Sequence, residues 1–272
     1  GEVPRNIAMV MEAYNAERLS RDDLDGLQLT WGNYEAVVEL LEKTVRREGI
    51  GAYLAKPPRE CGRALGIEDL AVHMKGTGFN DHDQRVHPVM IFQSLMSGAG
   101  PAWQTQGGLF IEPWKGATDL GFGYLDPTSP DGMGEAVSRG QFLKLWQDTI
   151  GVCYFALQPF PGTWGPAIEA LSSAVGWEDY TREEALTVGE RLVNIQRLIA
   201  LHRGYQREYD YDISPRMLSG VQAGPAKGRT IPAGPHLERW YREYYDCLDW
   251  DAETGVPTSE ALDRLGMTDL KV

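Results

Sequence analysis

Asn33-Tyr34-Glu35-Ala36-Val37-Val38-Glu39-Leu40-Leu41-Glu42-Lys43-Thr44-Val45-Arg46-Arg47 decides the fold class. Val37, Leu40, Leu41, Thr44 and Val45 recur at the spacing of one helical face, while Glu35, Glu39, Glu42, Lys43, Arg46 and Arg47 fall opposite them. Asn33 can cap the helix start with its side-chain oxygen, and Gly49 and Gly51 are expected to stop it where left-handed backbone is wanted. The same grammar recurs along the chain. A helix is predicted over 4–17, with Ile7, Met11 and Tyr14 on one face, and a polar turn, Arg21-Asp22-Asp23-Leu24-Asp25-Gly26, follows it. Pro57-Pro58 opens a short helix closed by Gly66. Over 73–135 Gly, Pro and Asp recur every few residues, so loops are expected, with one helix over 88–97. Long irregular stretches of this kind are often functional.

Helices return over 134–147 and 165–175. Thr181-Arg182-Glu183-Glu184 is a capping box in front of the stripe Val188, Leu192, Ile195 and Ile199, which predicts a helix to Arg203 with Gly204 as its stop. A breaker-rich link spans 215–235, a helix follows over 236–248, and a last short helix is ended by Gly266. No run alternates with the period of a strand, and no internal repeat is found. The expected fold is all-α, divided into a helical domain with long loops over 1–135 and a second helical domain over 136–272.

Composition narrows function. In 272 residues, 26 Lys and Arg face 39 Asp and Glu, a net charge of −13, which disfavours a nucleic-acid partner or an anionic membrane surface. The longest nearly uncharged run, 86–113, is studded with Gly, Pro, Gln and Ser and is too polar to span a bilayer. Cys61, Cys153 and Cys247 are odd in number and widely spaced, so neither a disulfide framework nor a closed zinc site is expected, and a reducing cytoplasm is the simplest compartment. The start, Gly1-Glu2-Val3-Pro4, has neither an initiator Met nor the features of a signal peptide, and is expected to lie in the middle of a longer protein.

Chemistry concentrates in Asp148-Thr149-Ile150-Gly151-Val152-Cys153. A glycine lets backbone approach a bulky ligand and a thiolate binds soft metals, so carboxylate and thiol can serve one site. The plainer alternative is that Gly151 caps a helix and Cys153 is an ordinary buried thiol. A second cluster, Asp81, His82, Asp83 and His87, offers ligands for a mononuclear metal hydrolase, but its spacing is no zinc signature and a solvated loop is the simpler reading. Trp240, Tyr241, Tyr244, Tyr245 and Trp250 read as core packing rather than a cofactor box. Nothing resembles a phosphate loop or a nucleophile elbow, and no local pattern supports a nucleophilic thiol at Cys61 or Cys247.

Taken together, seven ordered stretches resemble the aldehyde ferredoxin oxidoreductase family of tungsten-pterin iron–sulfur enzymes. They are Ile7 to Tyr14; Gly26-Leu27-Gln28-Leu29-Thr30-Trp31-Gly32-Asn33 with Arg47-Glu48-Gly49-Ile50-Gly51; Met74-Lys75-Gly76; Asp83-Gln84-Arg85; Asp148 to Cys153; Gly224-Pro225-Ala226-Lys227-Gly228; and Tyr244-Tyr245 with Leu248-Asp249-Trp250-Asp251 and Gly255-Val256-Pro257-Thr258. The resemblance implies the C-terminal helical portion of such an enzyme. It implies that Asp148 accepts hydrogen bonds from a pterin of a tungsten (or molybdenum) bis-pterin, that Thr149, Ile150, Gly151 and Val152 line that pterin, and that Cys153 is one ligand of a [4Fe-4S] cluster. It further implies that an N-terminal portion or separate subunit completes both cofactors, that a ferredoxin or electron-transfer subunit is the redox partner, and that homo-oligomers are open. No catalytic acid or base is assigned. Family members that oxidise aldehydes carry Arg-Gly-Ala-x-His, where this chain has Ser97-Gly98-Ala99-Gly100-Pro101, so a branch similar to the tungsten subunit of class II benzoyl-CoA reductase stays open, as does a non-catalytic helical module.

Overall fold

A computed structural model describes residues 2–78, 83–97, 123–126, 129–157 and 164–270. These residues hold α-helices, short 3-10 turns and isolated bridges, with no sheet among them, so the all-α expectation stands. They divide into two compact units, one holding 2–78, 83–85 and 212–230 and the other holding 86–97, 123–126, 129–157, 164–211 and 231–270.

The first unit contains α1 (Glu2–Asn15), α2 (Tyr34–Arg46), α3 (Gly51–Leu54) and α4 (Pro58–Ala64). Its core gathers Ile7, Val10, Ala13, Leu24, Leu29, Leu40, Leu54, Cys61 and Ile67. Asn6 is wholly buried on α1 and donates to the carbonyls of Leu54 (3.0 Å) and Lys56 (2.8 Å), which ties the end of α3 to α1. The polar turn predicted between α1 and α2 does similar work. Asp25 accepts from the Ile50 N–H at 3.0 Å and from Lys43 Nζ at 3.2 Å, and the Ile50 bond above all holds its carboxyl below the usual range.

Asn33 caps α2 as expected, accepting from the Ala36 N–H at 3.2 Å. Two expectations for this helix are corrected. Its left-handed stop is Arg47, at φ 55°, rather than Gly49, and Gly51 opens α3 against the backbone of Lys43 and Thr44, where a Cβ would collide. The buried face is Ala36, Leu40 and Thr44, with Val37 half-buried, whereas Leu41 is 40% and Val45 85% exposed. The apolar stripe is broader than the contact, because α2 meets its neighbours α1 and α3 along one side.

The second unit contains α5 (Pro88–Met96), α6 (Met133–Thr149), α7 (Tyr154–Leu157), α8 (Trp164–Val175) and α9 (Arg182–His202). A short α10 (Pro215–Leu218) belongs to the first unit, and α11 (Pro235–Leu248) and α12 (Ser259–Arg264) complete the second. The long link expected over 215–235 thus contains one helical turn. α6 is the axis of this unit: it packs on both α9 and α11 and is buried on nearly every face from Met133 to Gln147.

Close approach at the two crossings depends on glycine. A Cβ on Gly134 would strike the Trp240 carbonyl of α11, and one on Gly189 of α9 would strike the Phe142 carbonyl of α6. The capping box at Thr181 is formed in full, with Thr181 Oγ1 accepting from the Glu184 N–H and the Glu184 carboxylate accepting from the Thr181 N–H. The face that α9 buries differs from the predicted stripe, however. Ala185, Gly189, Val193 and Arg197 are buried, Val188, Leu192 and Ile195 flank them half-buried, and Ile199 is 49% exposed. Small residues face α6 because they let the two backbones come together, and the larger apolar side chains fill the flanks. The aromatic group of α11 and the residues just after it is core, as expected: Trp240, Tyr241, Tyr244, Tyr245 and Trp250 are all buried, and Phe92 of α5 meets Trp240, Tyr241 and Tyr244 edge-on.

Candidate functional site

The site is a turn at the C-terminal end of α6. Burial ends abruptly there: everything from Met133 to Gln147 packs inside the unit apart from Glu135 and Arg139, whereas Asp148, Thr149, Gly151 and Cys153 are exposed and Ile150 and Val152 half-buried. The helix closes through Ile150 N–H to the Gln147 carbonyl and Gly151 N–H to the Asp148 carbonyl, both 3.2 Å, and through Thr149 Oγ1, which donates to the Trp146 carbonyl at 2.6 Å. Gly151 then turns the chain at φ 70°. A Cβ placed on it would meet nothing within 4 Å, so the backbone here faces open space and not a neighbouring helix.

Two buried side chains of α6 reach this turn. Lys144, 2% exposed, makes an ion pair with Asp148, whose side chain is half exposed. Gln147, wholly buried, donates from Nε2 to the carbonyls of Val152 (3.1 Å) and Cys153 (2.8 Å). The Cys153 carbonyl also accepts from the Ala156 N–H at 2.9 Å in α7. The turn therefore presents an exposed carboxylate and an exposed thiol, both tied to a buried helix. Neither Lys144 nor Gln147 was singled out by the sequence, where each stands among ordinary helix formers. The one available signal was the place of Lys144 a single helical turn ahead of Asp148.

The plainer alternative for Cys153 is corrected in one respect: Gly151 does end the helix, but the Cys153 thiol is exposed. The other two thiols are less exposed, Cys61 being buried and Cys247 partly so. Burial pushes Cys61 up to about 11, and Cys247 is likewise raised by burial while its sulfur accepts from Ser138 Oγ at 2.9 Å. In the Asp81 to His87 cluster, Asp83 is engaged by Arg85, which binds both carboxylate oxygens at 2.9 and 2.7 Å and also donates to the Ser219 carbonyl at 3.0 Å. Asp81 and His82 lie outside the described residues, as do Gly98 to Pro101 of the loop after α5. Among the described residues no group of three or more His, Cys, Asp or Glu could hold a metal ion, and no helix is long and apolar enough to cross a membrane.

Known proteins resemble this chain over nearly its whole length. Residues 2–267 match the family model described as aldehyde ferredoxin oxidoreductase, domains 2 and 3. A tungsten-containing aldehyde ferredoxin oxidoreductase of Pyrococcus furiosus is 28% identical over 97% of this chain and 42% of that protein. The WOR-like subunit of an aliphatic sulfonate oxidoreductase from the same organism is 25% identical over 97% of this chain and 40% of its own length. The chain thus spans about two-fifths of the length of the curated relatives it matches. Among solved structures, the active-site complex BamBC of benzoyl coenzyme A reductase superposes with a TM-score of 0.75 at 20% identity, over 99% of this chain and 44% of that one, and so shares the fold. The chain belongs to the aldehyde ferredoxin oxidoreductase family and corresponds to its domains 2 and 3.

Proposed function

We propose that this chain supplies the helical C-terminal part of a tungsten bis-pterin, [4Fe-4S] oxidoreductase acting on an aldehyde or a related carbonyl or acyl compound. The observation that carries the reading is the turn at 148–153, an exposed carboxylate and an exposed thiol on either side of a glycine open to a bulky group. The donor set suits the cofactors. A carboxylate accepts from the amino and ring N–H groups of a pterin, and a thiolate is the usual ligand of cluster iron. One cysteine is one ligand of such a cluster, so the other ligands and the remaining pterin contacts would come from residues outside this chain.

When bound, the metal-pterin supplies two-electron chemistry and the cluster single-electron transfer to a ferredoxin or an electron-transfer subunit. The chain's own contribution is to hold and orient. Asp148, kept in place by Lys144, would bind one pterin. Thr149 to Val152 would lie along it through their backbone, and Cys153 would place the cluster beside it on the electron path. Metal analysis of the complete protein tests the reading, and active protein lacking both tungsten and molybdenum refutes it. Cys153→Ala in that protein is expected to lose the cluster absorbance and most of the cluster iron.

A narrower reading of the substrate rests on the sequence at 97–101. Ser97-Gly98-Ala99-Gly100-Pro101 has neither the Arg nor the His that aldehyde-oxidising members carry there, which favours an acid, acyl or otherwise divergent substrate. Turnover of an acyl thioester without turnover of simple aldehydes is the expected outcome, and efficient aldehyde oxidation would remove this reading.

A further inference from the structure

We propose that Gln147 is a positioning residue for the Cys153 thiolate, an inference that rests on the reading of Cys153 as a cluster ligand. The backbone of the turn is already closed without it, through Ile150 N–H to the Gln147 carbonyl and Gly151 N–H to the Asp148 carbonyl. The Gln147 side chain reaches past that closure to the carbonyls of Val152 and Cys153 at 3.1 and 2.8 Å. The Cys153 carbonyl already accepts from the Ala156 N–H at 2.9 Å, so it does not need the amide to be satisfied. What the amide adds is a fixed geometry for two consecutive peptide groups on either side of the Cys153 Cα.

The arrangement costs stability, which argues against a purely structural origin. Two carbonyl acceptors fix the orientation of the amide, with nitrogen toward the turn. Its Oε1 is therefore turned away from those carbonyls, and it is buried with no hydrogen-bond partner among the described residues. A buried, unsatisfied acceptor is destabilising, and an apolar side chain of similar size would fill the same space without that cost. Gln147 thus trades stability for a braced turn. Groups that orient a metal ligand from behind set both the affinity for the metal and its electronic environment. For an iron–sulfur cluster, hydrogen bonding and solvent exposure around the ligating sulfur tune the reduction potential.

The test uses the complete protein, purified without oxygen and loaded with its metals. Gln147→Glu keeps the size of the side chain and replaces the donor with an acceptor facing two carbonyls; Gln147→Met removes the donor without adding charge and serves as the second variant should the first not fold. Both are expected to release cluster iron to a chelator about 10- to 100-fold faster than the parent. Both should also shift the cluster's reduction potential and its electron paramagnetic resonance line shape, and Gln147→Met is expected to do so while unfolding no lower than the parent. Parent-like iron release and potential in either folded variant overturns the proposal. Cys153→Ala separates the two levels of inference. If it loses cluster iron while the Gln147 variants behave as the parent, the positioning role alone fails; if it retains the full cluster, the ligand assignment fails and the proposal with it.

Discussion

Asp148 lies in the last turn of α6 and Cys153 just beyond its end, both exposed, while Lys144 and Gln147 of the same helix are buried and bond to them. At this scale the sequence was informative about type and silent about support. A carboxylate, a glycine and a thiol in close order are chemically suggestive wherever they occur, whereas a lysine and a glutamine in a helix look like solvent-facing residues. Only packing reveals that Lys144 is 2% exposed and aimed at Asp148. His73 shows the same limit. It was not singled out by the sequence, yet it lies 4% exposed with Nδ1 unpartnered among the described residues, and burial first, then the Arg59 guanidinium, lower its pKa against the opposing pull of Asp212. Its folded value lies below its unfolded one, near 6.5, so the unfolded chain takes up the proton first as pH falls. Stability is expected to be full above about pH 6.5 and to decline below it until the folded ring also titrates. His73→Gln should flatten that part of the profile in denaturant titrations run across the acid range, and an unchanged slope would remove His73 as its source.

At the scale of elements, helix existence was legible and helix orientation was not. Caps at Asn33 and Thr181, and the left-handed glycines Gly66, Gly204 and Gly266, are local signals whose partners lie within a few residues, and each falls where it was expected or nearly so. The buried faces of α2 and α9 depend on which neighbours arrive and how closely, which hydrophobic spacing does not encode. α9 turns Ala185 and Gly189 toward α6, so its contact is set by what is small as much as by what is apolar. Gly189→Ala is accordingly expected to destabilise the chain by about 1–3 kcal/mol or more, since the new methyl meets backbone that cannot step aside. A thermal-unfolding midpoint equal to the parent's would show that the crossing has slack. An exposed glycine such as Gly165, with nothing within 4 Å of an added Cβ, provides the comparison.

At the scale of the molecule, the second unit is tied together by one buried charge. Arg197 binds both carboxylate oxygens of Asp210 at 2.9 Å and donates to the Gly255 carbonyl at 2.8 Å; Tyr205 and Tyr245 donate to the same carboxylate and Tyr241 to the Asp210 carbonyl. The guanidinium lies 4.9 Å from the Tyr205 ring centre and 4.8 Å from that of Trp250. α9, α11 and the segment before α12 converge on this network, and neither Arg197 nor Asp210 carried a sequence signal beyond its charge. Asp210→Asn, which leaves Arg197 buried without its counter-charge, is expected to cost about 3–5 kcal/mol of stability. A loss below about 1 kcal/mol, in the range of surface pairs, would show that the charge is not what holds these elements together. Purified alone, the 272-residue chain is expected to contain neither cluster nor metal-pterin, and a brown chromophore with cluster-like absorbance would contradict this.

The sequence by itself determined the helical class, the caps and stops, the exclusion of nucleic-acid and bilayer chemistry as expectations, and the residue types of the site. Those features rest on contacts within a few residues or on composition. Which side of each helix is buried, which charge sits at the centre, and why the turn at 148–153 stands clear of the core were decided by tertiary structure alone. The physical reason is burial: the meaning of Lys144, Gln147, Gly189 and Arg197 depends on neighbours brought together from distant parts of the chain, and only close packing fixes who those neighbours are.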